Sequence, residues 1–130
     1  MRLISIVILL IAGFSPFHNN ICEVKPIGEK IGKYFNQTKN SYINIDKIEN
    51  DSIWGHHCFI ANEGQRIDCC IDKDFSFTLA RCNDDYEGKL KSCYDDKEYK
   101  VKLHFENKYI VFSFIENNHP FKSKSEEFHK

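Results

Sequence analysis

The chain has no excess of positive charge, because 19 Asp and Glu residues offset its 18 Lys and Arg residues. A protein that holds nucleic acid or an anionic membrane surface needs a basic field, and none is present. Apart from its N-terminus, the sequence also lacks any apolar stretch near the roughly 20 residues that a membrane helix requires. The composition therefore argues against a nucleic-acid-binding protein and predicts no membrane span.

Motifs that carry chemistry are also missing. There is no Cys-x2-Cys pair of the kind that binds zinc, and no recognisable Ser-His-Asp arrangement. His56 and His57 are adjacent, so on a strand they face opposite ways and cannot easily share a metal ion. We therefore predict a non-enzymatic protein with no catalytic residue, no metal and no cofactor.

The N-terminus has the layout of a secretory signal peptide. Arg2 precedes an unbroken apolar run over residues 3–12, which is followed by Gly13, Ser15 and Pro16. We expect a signal peptide over residues 1–18, cleaved between 13 and 21, and a secreted, extracellular, monomeric product. The sequons Asn36-Gln37-Thr38 and Asn50-Asp51-Ser52 then predict a glycoprotein modified at Asn36 and Asn50.

All six cysteines lie beyond the leader, which indicates a disulfide framework in an oxidising compartment: Cys22, Cys58, Cys69, Cys70, Cys82 and Cys93. A bond between the neighbours Cys69 and Cys70 would be strained. Two segments share the layout Cys-x4-Glu-Gly-x4-Cys, so Cys58–Cys69 and Cys82–Cys93 could each close a hairpin on itself. Whether Cys58 faces Cys69 depends on the turn length, which the sequence leaves open. Cys22 and Cys70 remain, and we expect them to pair.

Apolar periodicity predicts an α+β fold. After Pro26, apolar residues recur at helical spacing as far as Phe35, and beyond Asn40 the spacing changes to period two. The clearest hairpin alternates over 99–105, turns at 106–108 and returns over 109–115. We predict a short N-terminal helix packed on an antiparallel β-sheet, in one small disulfide-stabilised secreted domain over 19–116. The polar segment 117–130 is expected to be a flexible tail.

Trp54, the only tryptophan, lies in Asp51-Ser52-Ile53-Trp54-Gly55. Large aromatic residues are usually core residues, but a Trp exposed at a hairpin tip, beside Ile and Gly, has the composition of a binding hot spot. A core position predicts that Trp54→Ala unfolds the chain, whereas an exposed position predicts that only binding is lost. The sequence leaves both open.

The order of these elements resembles a secreted cystatin. Residues 34–41, Tyr-Phe-Asn-Gln-Thr-Lys-Asn-Ser, are similar to the end of that family's helix, and Asp51-x-Ile53-x-Gly55 resembles its Gln-x-Val-x-Gly inhibitory loop. In cystatins this loop and a second hairpin tip wedge into the cleft of papain-like cysteine proteases without chemistry. The resemblance implies protease or partner contacts at Ile53, Trp54 and Gly55, and at Phe105 and Asn107 in the second tip.

The sequence therefore predicts a secreted, non-enzymatic binding protein with an extracellular protein partner. Its most concrete form is a cystatin-like inhibitor of papain-like cysteine proteases. The alternative is a secreted ligand or effector that binds an extracellular receptor and inhibits no protease.

Overall fold

Most of the chain alternates apolar and polar side chains, and in the computed structural model, which describes residues 27–70 and 74–130, these segments are antiparallel strands. The predicted signal peptide and Cys22 lie outside the described residues. The elements are α1 (Ile27–Lys30), β1 (Gly32–Phe35), β2 (Tyr42–Glu49), β3 (Ser52–Ala61), β4 (Arg66–Cys69), β5 (Phe77–Cys82), β6 (Asp85–Lys91), β7 (Glu98–Phe105), β8 (Tyr109–Phe114) and β9 (Ser125–His129).

Eight of these strands close into an antiparallel β-barrel. They neighbour one another in the order β2-β1-β9-β8-β7-β6-β5-β3, and β3 pairs back with β2. β5 pairs with β3 over residues 52–55 and β4 pairs with the same side of β3 over residues 58–61. The seam between β1 and β9 rests on the single register pair Phe35–His129.

The α+β prediction is therefore wrong. The helix predicted after Pro26 ends at Lys30, and Gly32–Phe35 forms a strand of the barrel between β2 and β9. Glycine is a poor helix former, and Gly32 takes a φ of 127°, which lets the chain turn from α1 into β1. The apolar residues up to Phe35 fit a helical period in the sequence, but in the structure Tyr34 and Asn36 are both buried, as a period of two requires.

The chain after residue 116 is a structural part of the barrel, so the predicted flexible tail is also wrong. β9 pairs along its length with β8 and closes the barrel against β1. Phe128 is buried in the core, and His119, in the loop before β9, is buried as well. Two apolar residues in a polar segment gave too weak a periodicity to reveal a strand.

Large side chains occupy the barrel interior. A barrel of eight strands is wide enough either to be filled by side chains or to hold one small ligand. Here the buried cluster comprises Tyr34, Ile43, Ile45, Ile53, Phe59, Phe77, Leu79, Leu90, Tyr99, Val101, Leu103, Ile110, Phe112, Phe114 and Phe128. A Cβ added at Gly55 would lie 2.3 Å from the ring of Phe77, so that ring uses the space that glycine leaves. The described interior is thus a packed core.

The two ends of the barrel differ. At the end that we call the turn end, tight turns at 50–51, 83–84 and 106–108 join successive strands, and α1 lies beside them. Asn50, Asp51 and Asn83 have positive φ, as tight hairpin turns require. At the other end, the loop end, the longer segments 36–41, 92–97 and 115–124 join the strands. The hairpin predicted over 99–115 is confirmed as β7 and β8, with its turn at the turn end.

Among the described cysteines two disulfides are formed, Cys58–Cys69 within the β3–β4 hairpin and Cys70–Cys93. The first is one of the two hairpin pairings that the sequence left open. The second excludes the other, Cys82–Cys93, and shows that the expected Cys22–Cys70 pair is wrong. Cys82 ends β5 at the turn end, whereas Cys93 follows β6 at the loop end. The seven residues of β6 separate those ends by about 23 Å. In the second Cys-x4-Glu-Gly-x4-Cys segment the Glu-Gly pair lies inside a strand and makes no turn.

Candidate functional site

A buried carboxylate organises the loop end of the barrel. Asp68 on β4 is fully buried, and three donors converge on it. The hydroxyl of Ser92 donates to Oδ2 at 2.8 Å, the backbone N–H of Cys93 donates to Oδ1 at 2.7 Å, and Nε2 of His119 donates to Oδ2 at 2.8 Å. His57 contributes a fourth contact, with Nε2 at 2.9 Å from Oδ1. A buried charge is tolerated only when it is paired in this way.

The two histidines contact Asp68 differently. The backbone N–H of Phe121 donates to Nδ1 of His119 at 3.3 Å, so the ring proton of His119 lies on Nε2 and points at Asp68. The Nε2 atom of His57 is close to Asp68 but does not meet hydrogen-bond geometry, so this contact is an electrostatic one. Ser76 Oγ accepts the backbone N–H of His57 at 2.9 Å and lies 2.7 Å from its Nδ1.

The pKa values of this cluster are shifted by burial and by hydrogen bonding. Burial lowers the pKa of His57, outweighing the opposite influence of Asp68, so the imidazole is neutral at pH 7. For Asp68, burial alone would raise the pKa, but the hydrogen bond from His119 and the close contact with Nε2 of His57 outweigh it and hold the pKa well below its usual range. Asp68 is therefore an anion whose charge is compensated by dipoles and N–H donors.

Ser76, His57 and Asp68 are in contact in the order of a Ser-His-Asp triad, which the sequence did not reveal. However, Nδ1 of His57 faces Ser76 and Nε2 faces Asp68, the reverse of the triad arrangement. All three are buried, with exposures of 2%, 0% and 0%, so substrate cannot reach the Ser76 hydroxyl in this conformation. His57, Asp68 and Cys70 also bring potential metal-ligand atoms within 4.8 Å of one another, but the sulfur of Cys70 is bonded to Cys93. The arrangement is thus suited to joining β3 and β4 to the loop after β6 and the loop before β9.

Of the residues predicted to contact a partner, Ile53 and Gly55 lie inside the barrel. Both are buried in the half of β3 nearer the turn end, and the β2–β3 turn itself is formed by Asn50 and Asp51. Neither residue stands at a hairpin tip, so the two-tip wedge that the cystatin resemblance implied is not formed by these residues. Phe105 is half-buried at the turn end, and Asn107 is exposed in the β7–β8 turn.

Trp54 lies on the outer wall of the barrel, as the third residue of β3, and is partly exposed. Its ring centroid is 6.5 Å from that of Phe75, which is 42% exposed, and Phe75 also contacts the ring of His56 at 5.8 Å. Nζ of Lys47 lies 4.9 Å above the Trp54 ring, at cation–π distance. We call Lys47, Trp54, His56 and Phe75 the outer aromatic cluster.

The two sequons differ in accessibility. Asn36 is 6% exposed, and its amide donates to Asn40 Oδ1 at 2.7 Å and to Glu126 Oε1 at 3.2 Å while its carbonyl oxygen accepts the N–H of Ser41. A glycan on that amide nitrogen would displace these partners. Asn50 is exposed in the β2–β3 turn. Of the two predicted glycosylation sites, Asn50 has the geometry of an acceptor in the folded protein.

The sequence carried one signal for the buried network. His57 follows Ile53 and Gly55 and precedes Phe59 at a spacing of two, which places a polar side chain in a row of core positions. His119 and Ser92 lie in loops without periodicity, and only the tertiary fold brings them to Asp68.

Within the described residues, no helix is long and apolar enough to cross a membrane. No protein-family model, curated protein or solved structure gives a significant match to the chain.

Proposed function

We propose that this chain is a secreted, non-enzymatic binding protein that recognises an extracellular protein partner through the outer wall of its barrel. The observation that carries the proposal is the outer aromatic cluster. Trp54 and Phe75 present aromatic surface outside the barrel, next to the cation of Lys47. Aromatic side chains flanked by charge are typical of the residues that dominate binding energy at protein interfaces.

Two features support a surface function. The interior is packed with large side chains, so it offers no evident space for a small ligand. The buried Ser76, His57 and Asp68 are enclosed in the same core, which favours a structural role for them over catalysis. The two disulfides suit an oxidising, extracellular environment, and we include secretion in the proposal.

Two versions of this function differ in the protein that is bound, an extracellular receptor or a papain-like cysteine protease. We favour a receptor or another extracellular protein, because the wedge that would carry cystatin-like inhibition depends on Ile53 and Gly55, which are buried. Inhibition of a papain-like cysteine protease stays a prediction, and titration of such a protease with the oxidised protein tests it. Tight, stoichiometric inhibition would contradict the receptor version.

To test the outer wall, the binding of the mature protein to an array of extracellular domains is measured. The same measurement is made for the variants Trp54→Ala and Tyr94→Ala. Tyr94 is a matched control because it is an exposed aromatic residue, at 46%, that follows β6 at the loop end. We expect Trp54→Ala to lose saturable binding at least tenfold while retaining the wild-type circular dichroism spectrum, and Tyr94→Ala to bind normally. Equal binding by the two variants would contradict the proposal.

A further inference from the structure

We infer that the loop end of the barrel binds a zinc ion when the Cys70–Cys93 disulfide is reduced, with four ligands: His57, Asp68, Cys70 and Cys93. The ion takes over the linkage that the disulfide provides in the oxidised chain, so this is a redox-dependent metal site. The inference goes beyond the proposed binding function and does not rest on it. It departs from the expectation of no metal, which was based on the absence of a Cys-x2-Cys pair.

Two buried atoms at the loop end face each other with lone pairs that are available to a metal. Nε2 of His57 lies 2.9 Å from Oδ1 of Asp68, and neither side chain is exposed. The nitrogen has no hydrogen-bond partner within the part of the chain that the structure describes. Oδ1 accepts the backbone N–H of Cys93 at 2.7 Å, and a carboxylate oxygen has about two acceptor positions. A cation between the two atoms accepts a lone pair from each.

The sulfur of Cys70 adds a third ligand atom. His57, Asp68 and Cys70 are all buried, and their potential ligand atoms lie within 4.8 Å of one another. Tetrahedral zinc, with bonds of about 2.0–2.3 Å, holds its ligand atoms about 3.3–3.8 Å apart, so the three atoms need to move by about 1 Å or less. The sulfur of Cys93 is bonded to that of Cys70 and supplies the fourth ligand once this bond opens.

The ligand types select the metal. Two thiolates, an imidazole and a carboxylate in a set of four are typical of zinc. Magnesium and calcium prefer six or more oxygen ligands, which this cluster does not offer among the described residues.

Neighbouring side chains already orient the imidazole and the carboxylate. In the metal-bound state the ring proton of His57 lies on Nδ1, where Ser76 Oγ, 2.7 Å away, accepts it. Oδ2 of Asp68 accepts hydrogen bonds from Ser92 and His119, each at 2.8 Å, which leaves Oδ1 turned toward His57. Metal ligands in proteins are ordinarily held by such a second set of hydrogen bonds. The site is thus prepared before the sulfurs become available.

The two sulfurs differ in access, which sets the direction of the redox step. Cys93 is exposed, whereas Cys70 is 2% exposed. The thiolate of an external dithiol attacks the sulfur of Cys93, forms a mixed disulfide there and displaces Cys70 as a thiolate. The second thiol of the reductant then displaces Cys93. One S–S bond breaks in this chain and one forms in the reductant, which gives up two electrons. Its two protons pass to the two cysteines and are released when zinc binds them as thiolates.

Cobalt binding tests the site, because Co²⁺ in a tetrahedral thiolate site has intense visible bands and a thiolate-to-metal charge-transfer band in the near ultraviolet. The chain as secreted from eukaryotic cells is reduced with a phosphine, which adds no competing thiol, and is titrated with Co²⁺. We expect one cobalt ion per reduced chain and loss of both sets of bands when an equivalent of Zn²⁺ is added. The oxidised chain should show neither set.

Paired cysteine variants show whether the metal lies at the assigned place. Cys70→Ser/Cys93→Ser should lose the cobalt bands. The matched control, Cys58→Ser/Cys69→Ser, removes the other disulfide and should keep them. Cys82→Ser removes an exposed thiol outside the site and should also keep them. Reduced wild type that retains its circular dichroism spectrum but shows no cobalt bands would overturn the proposal. Equal bands in the two double variants would also overturn it.

Urea unfolding of the reduced chain separates binding by the folded protein from binding by thiols of an unfolded one. Zinc that binds the folded form raises the urea midpoint by mass action. We expect this rise in the wild type and in Cys58→Ser/Cys69→Ser, but not in Cys70→Ser/Cys93→Ser. His57→Gln keeps both sulfurs and should weaken zinc binding at least tenfold. A midpoint of the reduced wild type that does not respond to zinc would overturn the proposal.

Discussion

The substitution Asp68→Asn tests whether the buried network around Asp68 holds the loop end together. Asp68→Asn keeps the shape of the side chain but replaces one acceptor oxygen with an NH2 donor. Each carboxylate oxygen faces an obligatory donor: Oδ1 faces the backbone N–H of Cys93, and Oδ2 faces the ring N–H of His119. Whichever way the amide turns, an N–H group opposes another donor.

The expected cost follows from the bonds lost. Each carboxylate oxygen accepts one of these hydrogen bonds and has a second close polar neighbour, Ser92 at Oδ2 or His57 at Oδ1. Hydrogen bonds to a charged group contribute about 1.5–3 kcal/mol each, so disruption of two contacts costs about 3–6 kcal/mol. The total free energy of unfolding of a native protein is about 5–15 kcal/mol. Asp68→Asn should therefore remove a large share of the stability.

Urea unfolding followed by the fluorescence of Trp54, the only tryptophan, measures the loss directly. Asp46→Asn is the matched control, because Asp46 contacts His56 on the outer wall, where an exposed pair contributes at most about 1 kcal/mol. We expect the free energy of unfolding to fall by at least 3 kcal/mol more in Asp68→Asn than in the control. A loss below about 1 kcal/mol in both variants would refute the structural role assigned to the network.

Two further predictions concern pH and packing. Folding lowers the pKa values of His57 and Asp68, so the unfolded chain binds more protons than the folded chain. The free energy of unfolding should therefore fall as the pH drops from 7 to 5, where His57 is protonated in the unfolded chain. It should fall again below about pH 4, where Asp68 is protonated in the unfolded chain. A hydrogen bond to Asp85 raises the pKa of His104, so protonation of His104 stabilises the fold as the pH falls. His104→Gln should therefore make the loss of stability between pH 7 and 5 steeper. Urea midpoints of that variant that stay constant or rise as the pH falls from 7 to 5 would contradict the role given to His57. Gly88→Ala would place a Cβ 2.0 Å from the carbonyl oxygen of Thr78 and should cost about 1–3 kcal/mol or more in thermal or urea unfolding. Gly28→Ala is the control, because a Cβ added there would have no heavy atom within 4 Å. Equal stability of the two variants would show that the backbone at Gly88 can move to accommodate a Cβ.

The strands were partly predictable because alternation is a local property. The residues of β7 and β8 alternate or are continuously apolar around a polar turn, and the structure forms that hairpin as predicted. β1 and β9 were not predicted because both are short, and the seam between them joins Phe35 to His129, almost a hundred residues apart in the chain. A seam of that kind is decided by closure of the whole sheet, and no local pattern encodes it.

The functional residues divide in the same way. The sequence placed His56 and His57 on opposite faces, and the structure has His56 outside the barrel and His57 within it. It could not show that Ser92 and His119 meet Asp68, because those contacts span 24 and 51 positions. Trp54 was predicted at either a core or a tip position, and it occupies neither, since a strand in a barrel has an outer wall that is only partly covered.

The sequence by itself determined which strand residues alternate, that the chain has a disulfide framework, and that Cys58 and Cys69 can face each other across one hairpin. These properties depend on neighbouring residues and on the fixed periodicity of a strand. Only the tertiary structure decided that the sheet closes, that Cys70 bonds Cys93, and that an aspartate lies buried among two histidines. Closure brings distant segments to one end of the barrel, and in that dry interior a carboxylate is stable only where such segments supply its donors.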